Sequence, residues 1–203
     1  MSRMTVPEPA PELAPDQAIA ERYRQVADTF SGTVDGVRDW DAPTPVAEWR
    51  ARDVVGHLVE WLPGLVSGGS SVIFQPIPDA ASDPAEAWRE LDRQVRAILE
   101  DPAKSAARHT NPHMGESSVA EMMDRFYTPD VFLHRWDLAR ATGQDHRLDP
   151  ERVHDMFTGM TAMSEMIRGS GQFGDQQPVP DDADEQEQLM AFLGRDPRWS
   201  PPA

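Results

Sequence analysis

The chain has 203 residues, no cysteine, and 35 acidic against 19 basic side chains, a formal net charge of −16. That length suffices for one domain with a full hydrophobic core. The acidic balance excludes nucleic acid and anionic membrane as expected partners, because both are bound by basic surface. The missing thiols exclude disulfides, thiolate nucleophiles and thiolate metal ligands, so any metal must be held by histidine, carboxylate and water.

Pro7, Pro9, Pro11 and Pro15 mark residues 1–15 as a disordered lead-in without a signal-peptide pattern, and a cytoplasmic location is expected. Residues 16–203 are expected to form a single domain. Asp16 is a plausible N-cap for a first helix whose apolar stripe is Ile19, Tyr23, Val26 and Phe30, ending near Gly32. A polar loop with Pro43 and Pro45 leads to a second helix from about Ala51. Its stripe is Val54, Leu58, Trp61 and Leu65, with His57 at the edge and a kink or stop at Pro63-Gly64. The apolar run Val54 to Val66 is broken by His57, Glu60 and Pro63, so no membrane span is expected.

Residues 67–79 read as a loop. Asp83-Pro84 then opens a third helix with Trp88, Leu91, Val95 and Ile98 facing inward. Residues 103–116 are polar, and His109 and His113 within them read as surface residues, as do His146 and His154. Ser118 and Glu121 form a capping box for a fourth helix. Pro129 either kinks that helix or starts a new one with Thr128 as N-cap; Gly143 is a natural stop. Asp149-Pro150-Glu151 starts a fifth helix, with Val153, Phe157, Met160, Met163 and Ile167 inside and Gly169 at its end. A short helix over roughly 184–193 closes at Gly194. No strand pair with alternating pattern is visible. The expected fold is all-α, a four-helix bundle with additional helices.

The chemistry concentrates in Arg125 to Gly143. Asp130 and His134 are four residues apart, so on a helix both side chains leave one face, a turn apart. With His57 from the second helix they would form a two-histidine, one-carboxylate metal site. Read singly, His57 is an ordinary packed imidazole, and Asp130 with His134 an i,i+4 pair or a charge at a helix N-terminus. Asp137 and Glu60, each three residues after a candidate ligand, are candidates for ligand support or acid–base work, or are simply solvated. No nucleophile elbow, phosphate loop or dinucleotide fingerprint is present.

The strings Trp49-x-x-x-Asp53-Val-Val-Gly-His57, Asp130-Val-Phe-Leu-His134-Arg-Trp-Asp-Leu-Ala-Arg-Ala-Thr-Gly143, Pro178-Val-Pro-Asp-Asp-Ala-Asp and Leu193-Gly-Arg-Asp-Pro-Arg-Trp199 together resemble the DinB-like superfamily. Within it the chain is similar to the mycothiol-dependent maleylpyruvate isomerase group. The resemblance implies a helical bundle holding a divalent metal, zinc first and nickel next, on His57, Asp130 and His134. Iron shares the same ligand set. Two departures stand out: Asp130 replaces a glutamate, and the isomerase carries a further C-terminal domain that completes its site. The implied function is therefore broader than maleylpyruvate isomerisation: a metal-dependent transferase or isomerase using a low-molecular-weight thiol and a small-molecule substrate. Glu60 is the expected catalytic acid–base group, and Trp61, Arg135 and Trp136 are the expected substrate contacts. The alternative is a non-catalytic metal- or ligand-binding bundle. Met156, Met160, Met163 and Met166 leave a homodimer face open.

Overall fold

A computed structural model describes residues 14–165 and 174–201. Four helical rods form the bundle: α1 (Pro15–Asp35), α2 (Ala51–Gly69), α3 (Pro84–Glu100), and a continuous rod made of α5 (Val119–Met122), a π turn (Met123–Tyr127) and α6 (Thr128–Ala141). Helix α1 packs on α3 and α6, and α2 packs on the same two, so α1 and α2 lie diagonally opposite. The core between them is filled by Tyr23, Phe30, Leu58, Leu62, Trp88, Leu91, Tyr127 and Leu138. The short α4 (Pro102–Ser105) leads into a hairpin, β1 (Arg108–Asn111) with β2 (Gly115–Ser118). Helices α7 (Pro150–Ala162) and α8 (Glu185–Phe192) pack on each other outside the bundle, with Phe157 edge-on to Phe192. Among the described residues no helix is long and apolar enough to cross a membrane.

The all-α reading holds, and several local expectations do not. Helix α1 starts with Ala14 as its cap residue and Pro15 at N1, and it runs past Gly32 to Asp35. Helix α2 carries Pro63 in its interior and continues to Gly69. Proline costs a helix interior about 3 kcal/mol, but Leu62 and Val66 on either side are wholly buried, and fully burying two such side chains returns roughly 3–6 kcal/mol.

The hairpin at residues 108–118 is the second correction, since no strand pair was expected there. His109 on β1 is only 1% exposed, not a surface residue: its Nε2 lies 3.1 Å from the Leu65 carbonyl oxygen, in space left by Gly69. Met163, expected inside, is 46% exposed. The expected lead-in at residues 1–13, and Met166, Ile167 and Gly169, lie outside the described residues. The expected caps hold: Asp83 accepts from the Glu86 amide, and Ser118 makes a full reciprocal box with Glu121; Asp184 makes a further box with Glu187.

Candidate metal centre

Helix α2 is started by Asp53, whose carboxylate accepts the Arg50 backbone N–H at 2.7 Å. With Val54, Leu58 and Leu62 committed to the core, His57 and Trp61 fall together on the flank that meets α6. Asp130 and His134 occupy the facing flank of α6. The His57 Nε2 lies 3.0 Å from Asp130 Oδ2, and the His134 Nε2 lies 3.4 Å from Asp130 Oδ1. One ligand atom from each of the three residues lies within 4.8 Å of the others.

The next ring of contacts fixes these groups. Trp61 donates its indole N–H to Asp130 Oδ2 at 3.1 Å. His134 places Nδ1 2.9 Å from Asp137 Oδ2, and Asp137 in turn accepts from Arg195, 3.0 Å to Nη2 and 3.4 Å to Nε. The Asp137 side chain is wholly buried and that of Arg195 is 14% exposed. An anionic Asp137 requires a proton on His134 Nδ1, so Nε2, 3.4 Å from Asp130, is the nitrogen placed to ligate a metal. The donor set therefore suits a divalent ion: two imidazole nitrogens, one carboxylate, no sulfur.

Electrostatics favour the ionised carboxylates. Burial alone would raise the Asp130 carboxyl, but the charge of His134, the hydrogen bond and charge of His57 and the Trp61 hydrogen bond outweigh it, and Asp130 sits below the usual carboxylate range. Burial opposes ionisation of Asp137 too, yet the Arg195 charge and the His134 hydrogen bond hold it low.

Trp49 forms a further wall. Its ring centroid is 5.2 Å from that of His57 and 5.6 Å from that of His134, nearly parallel to the latter at 24°. It is delivered by a tight loop in which Glu48 takes a φ of +66° and Trp49 exchanges backbone bonds with Thr44 and Val46. A non-glycine residue in that region is uncommon and worth about 1–2 kcal/mol of strain. Tyr127, wholly buried, meets Trp61 edge-on at 5.5 Å, and its hydroxyl has no protein partner.

Of the expected site residues, the structure brings together His57, Asp130, His134 and Trp61. It does not bring Glu60, Arg135 or Trp136 to them. Glu60 is exposed beside Val59, Pro63 and the 74–80 segment. Arg135 donates to the carbonyls of Asp145 and Arg147, and Trp136 lies buried under the Arg140 guanidinium. Residues one and two after His134 turn to other faces of the helix. Sequence reasoning missed Trp49 and Arg195 as site residues, although both stand inside the strings that carry the family resemblance.

A family model described as the mycothiol maleylpyruvate isomerase N-terminal domain matches residues 23–139. Two curated relatives, uncharacterized proteins of Mycobacterium tuberculosis strains CDC 1551 / Oshkosh and ATCC 25618 / H37Rv, are each 31% identical over 178 residues. The alignment covers 85% of this chain and 95% of each relative. No solved structure gives a significant match.

Proposed function

The chain belongs to the mycothiol maleylpyruvate isomerase N-terminal domain family, and from that premise we propose that it is a divalent-metal-dependent enzyme that joins a low-molecular-weight thiol to a small electrophile or isomerises one. The observation that carries the proposal is the convergence of His57, Asp130 and His134 from two helices, with the second nitrogen of His134 already held by Asp137. Zinc is the metal we propose; nickel and iron suit the same donors.

A divalent ion held by His57, Asp130 and His134 would supply positive charge that makes a bound thiol or water acidic enough to act at neutral pH. The protein's own residues do the rest. Asp137 fixes His134, Trp61 orients Asp130, and Trp49 and Trp61 shield the two imidazoles with apolar surface. In the addition step the thiol sulfur bonds to one carbon of an activated carbon–carbon double bond as the π bond opens; the π pair moves to the adjacent carbon, which takes up one proton while the thiol gives up one, directly or by way of solvent. With no cysteine in the chain, the thiol must come from a cosubstrate.

The test is elemental analysis of untagged protein followed by rates of thiol consumption with holoprotein and chelator-treated protein. One bound ion per chain and a metal-dependent rate that Asp130→Asn abolishes are expected. Equal rates with and without metal would replace the enzyme by a metal-binding bundle without chemistry.

A further inference from the structure

The group that reaches the candidate metal centre from farthest along the chain is Arg195, just beyond α8. Helix α8 buries Leu189, Met190 and Ala191 and ends in a tight reversal. Gly194, at φ +89°, returns its N–H to the Ala191 carbonyl, and Arg195 returns its own to Met190. That pair of bonds is the left-handed helix stop that glycine permits. A Cβ on Gly194 would lie 2.7 Å from the Gly174 backbone, so the reversal is also pinned from outside. The Arg195 side chain, further held by the Leu193 carbonyl at 3.2 Å, is thus delivered to Asp137 with little freedom.

We propose that Arg195 is a positioning residue for the metal centre: acting through Asp137 and the Nδ1–H of His134, it couples docking of the C-terminal segment 185–199 to metal binding. The proposal rests on the metal reading given above. Arg195 touches none of the three ligands. Its guanidinium binds both oxygens of the wholly buried Asp137 carboxylate and so fixes the orientation in which that carboxylate meets His134. The Asp137 carboxylate accepts the His134 Nδ1–H and so holds the ring with Nε2 facing Asp130. Losing such outer support costs about 10–100-fold in metal affinity. Coupling is reciprocal, so metal must strengthen docking of the segment by the same factor.

Three measurements test this on the full chain. Zinc affinity by competition with a chromogenic chelator should fall about 10–100-fold in Arg195→Gln and recover in part in Arg195→Lys, which restores a charged donor to Asp137. Nitrogen-15 NMR should find His134 as the Nδ1–H tautomer in the wild type, with that preference reduced in Arg195→Gln. Amide exchange in wild-type protein needs no variant: zinc should slow exchange across residues 185–199. A wild type that binds no zinc overturns the functional reading and the coupling together. A wild type that binds zinc, with Arg195→Gln equal in affinity and tautomer, overturns the coupling alone. So does exchange in 185–199 that zinc leaves unchanged.

Discussion

Replacing His57 by alanine separates metal ligation from ordinary packing, because the side chain is about one-third exposed (34%) and among the described residues its hydrogen-bond partner is Asp130 at 3.0 Å. In chelator, loss of a hydrogen bond to a partly solvated carboxylate costs about 1 kcal/mol. For a chain of this size each kcal/mol moves the melting midpoint by roughly 2–4 °C. With zinc at about 100 times its dissociation constant, wild-type protein gains about 2.7 kcal/mol from RT ln(1 + [L]/Kd), or roughly 5–11 °C. If losing the ligand weakens binding by about 100-fold, the same zinc concentration gives His57→Ala only about 0.4 kcal/mol, near 1 °C. Thermal unfolding of both proteins with zinc and with chelator reads all four numbers. A zinc shift in His57→Ala equal to the wild-type shift would refute ligation by His57, whatever happens in chelator.

Both tyrosines of the chain, Tyr23 and Tyr127, are wholly buried, and burial with nearby carboxylates raises both well above the ordinary value. Folded-state values above the unfolded value of about 10 mean this stability is intact below pH ~10 and lost as pH rises beyond it. Absorbance at 295 nm should therefore show no tyrosinate before alkaline unfolding; an early component would contradict their burial. Ser31→Ala orphans the Trp88 indole N–H, now 2.9 Å from Ser31 Oγ in a wholly buried ring, and should cost about 1–3 kcal/mol by denaturant titration. Gly69→Ala places a Cβ 2.4 Å from His109 Nε2 and 2.8 Å from the Thr110 carbonyl. It should destabilise by about 1–3 kcal/mol and loosen the hairpin in amide exchange.

The helical period alone places His57 beside the core stripe of α2 and stacks Asp130 under His134, so the ligand set is legible without coordinates. The caps at Asp83 and Ser118 are legible for the same reason: their partners are three residues away. What the period cannot carry is contact across the chain. Arg195 meets Asp137 over 58 residues, and nothing local to either residue announces the other. Trp49 depends on a glutamate in left-handed backbone, a conformation that sequence preference argues against. The hairpin strands are four residues each, Arg-His-Thr-Asn and Gly-Glu-Ser-Ser, with no apolar alternation to show them. His109 is buried by what Gly69 leaves open rather than by its own neighbours.

Pro129 shows how the two halves of the site are kept in line. As an imide it cannot return an N–H to the Arg125 carbonyl, and the sequence alone allows a kink or a new helix there. An α segment does begin at Thr128 with Pro129 in its first turn, but Thr128 is not its cap, because the preceding Tyr127 is itself in helical backbone. The Thr128 N–H reaches back five residues to the Met123 carbonyl, and the widened turn Met123–Tyr127 carries the rod on unbroken. One extra residue in a turn rotates everything after it by about 100° relative to a strict α-helix. Downstream of that rotation, Asp130, His134 and Asp137, spaced four and three, stand on one face over a rise of about 10 Å. The first meets His57 from α2 and the last meets Arg195 from beyond α8, with His134 bonded to Asp137 and 3.4 Å from Asp130. A rod without the π turn would carry the same three residues, still stacked, towards a different neighbour. The irregular turn thus sets the register between two regular helices, which explains why a helix so nearly buried all round tolerates a proline at its centre.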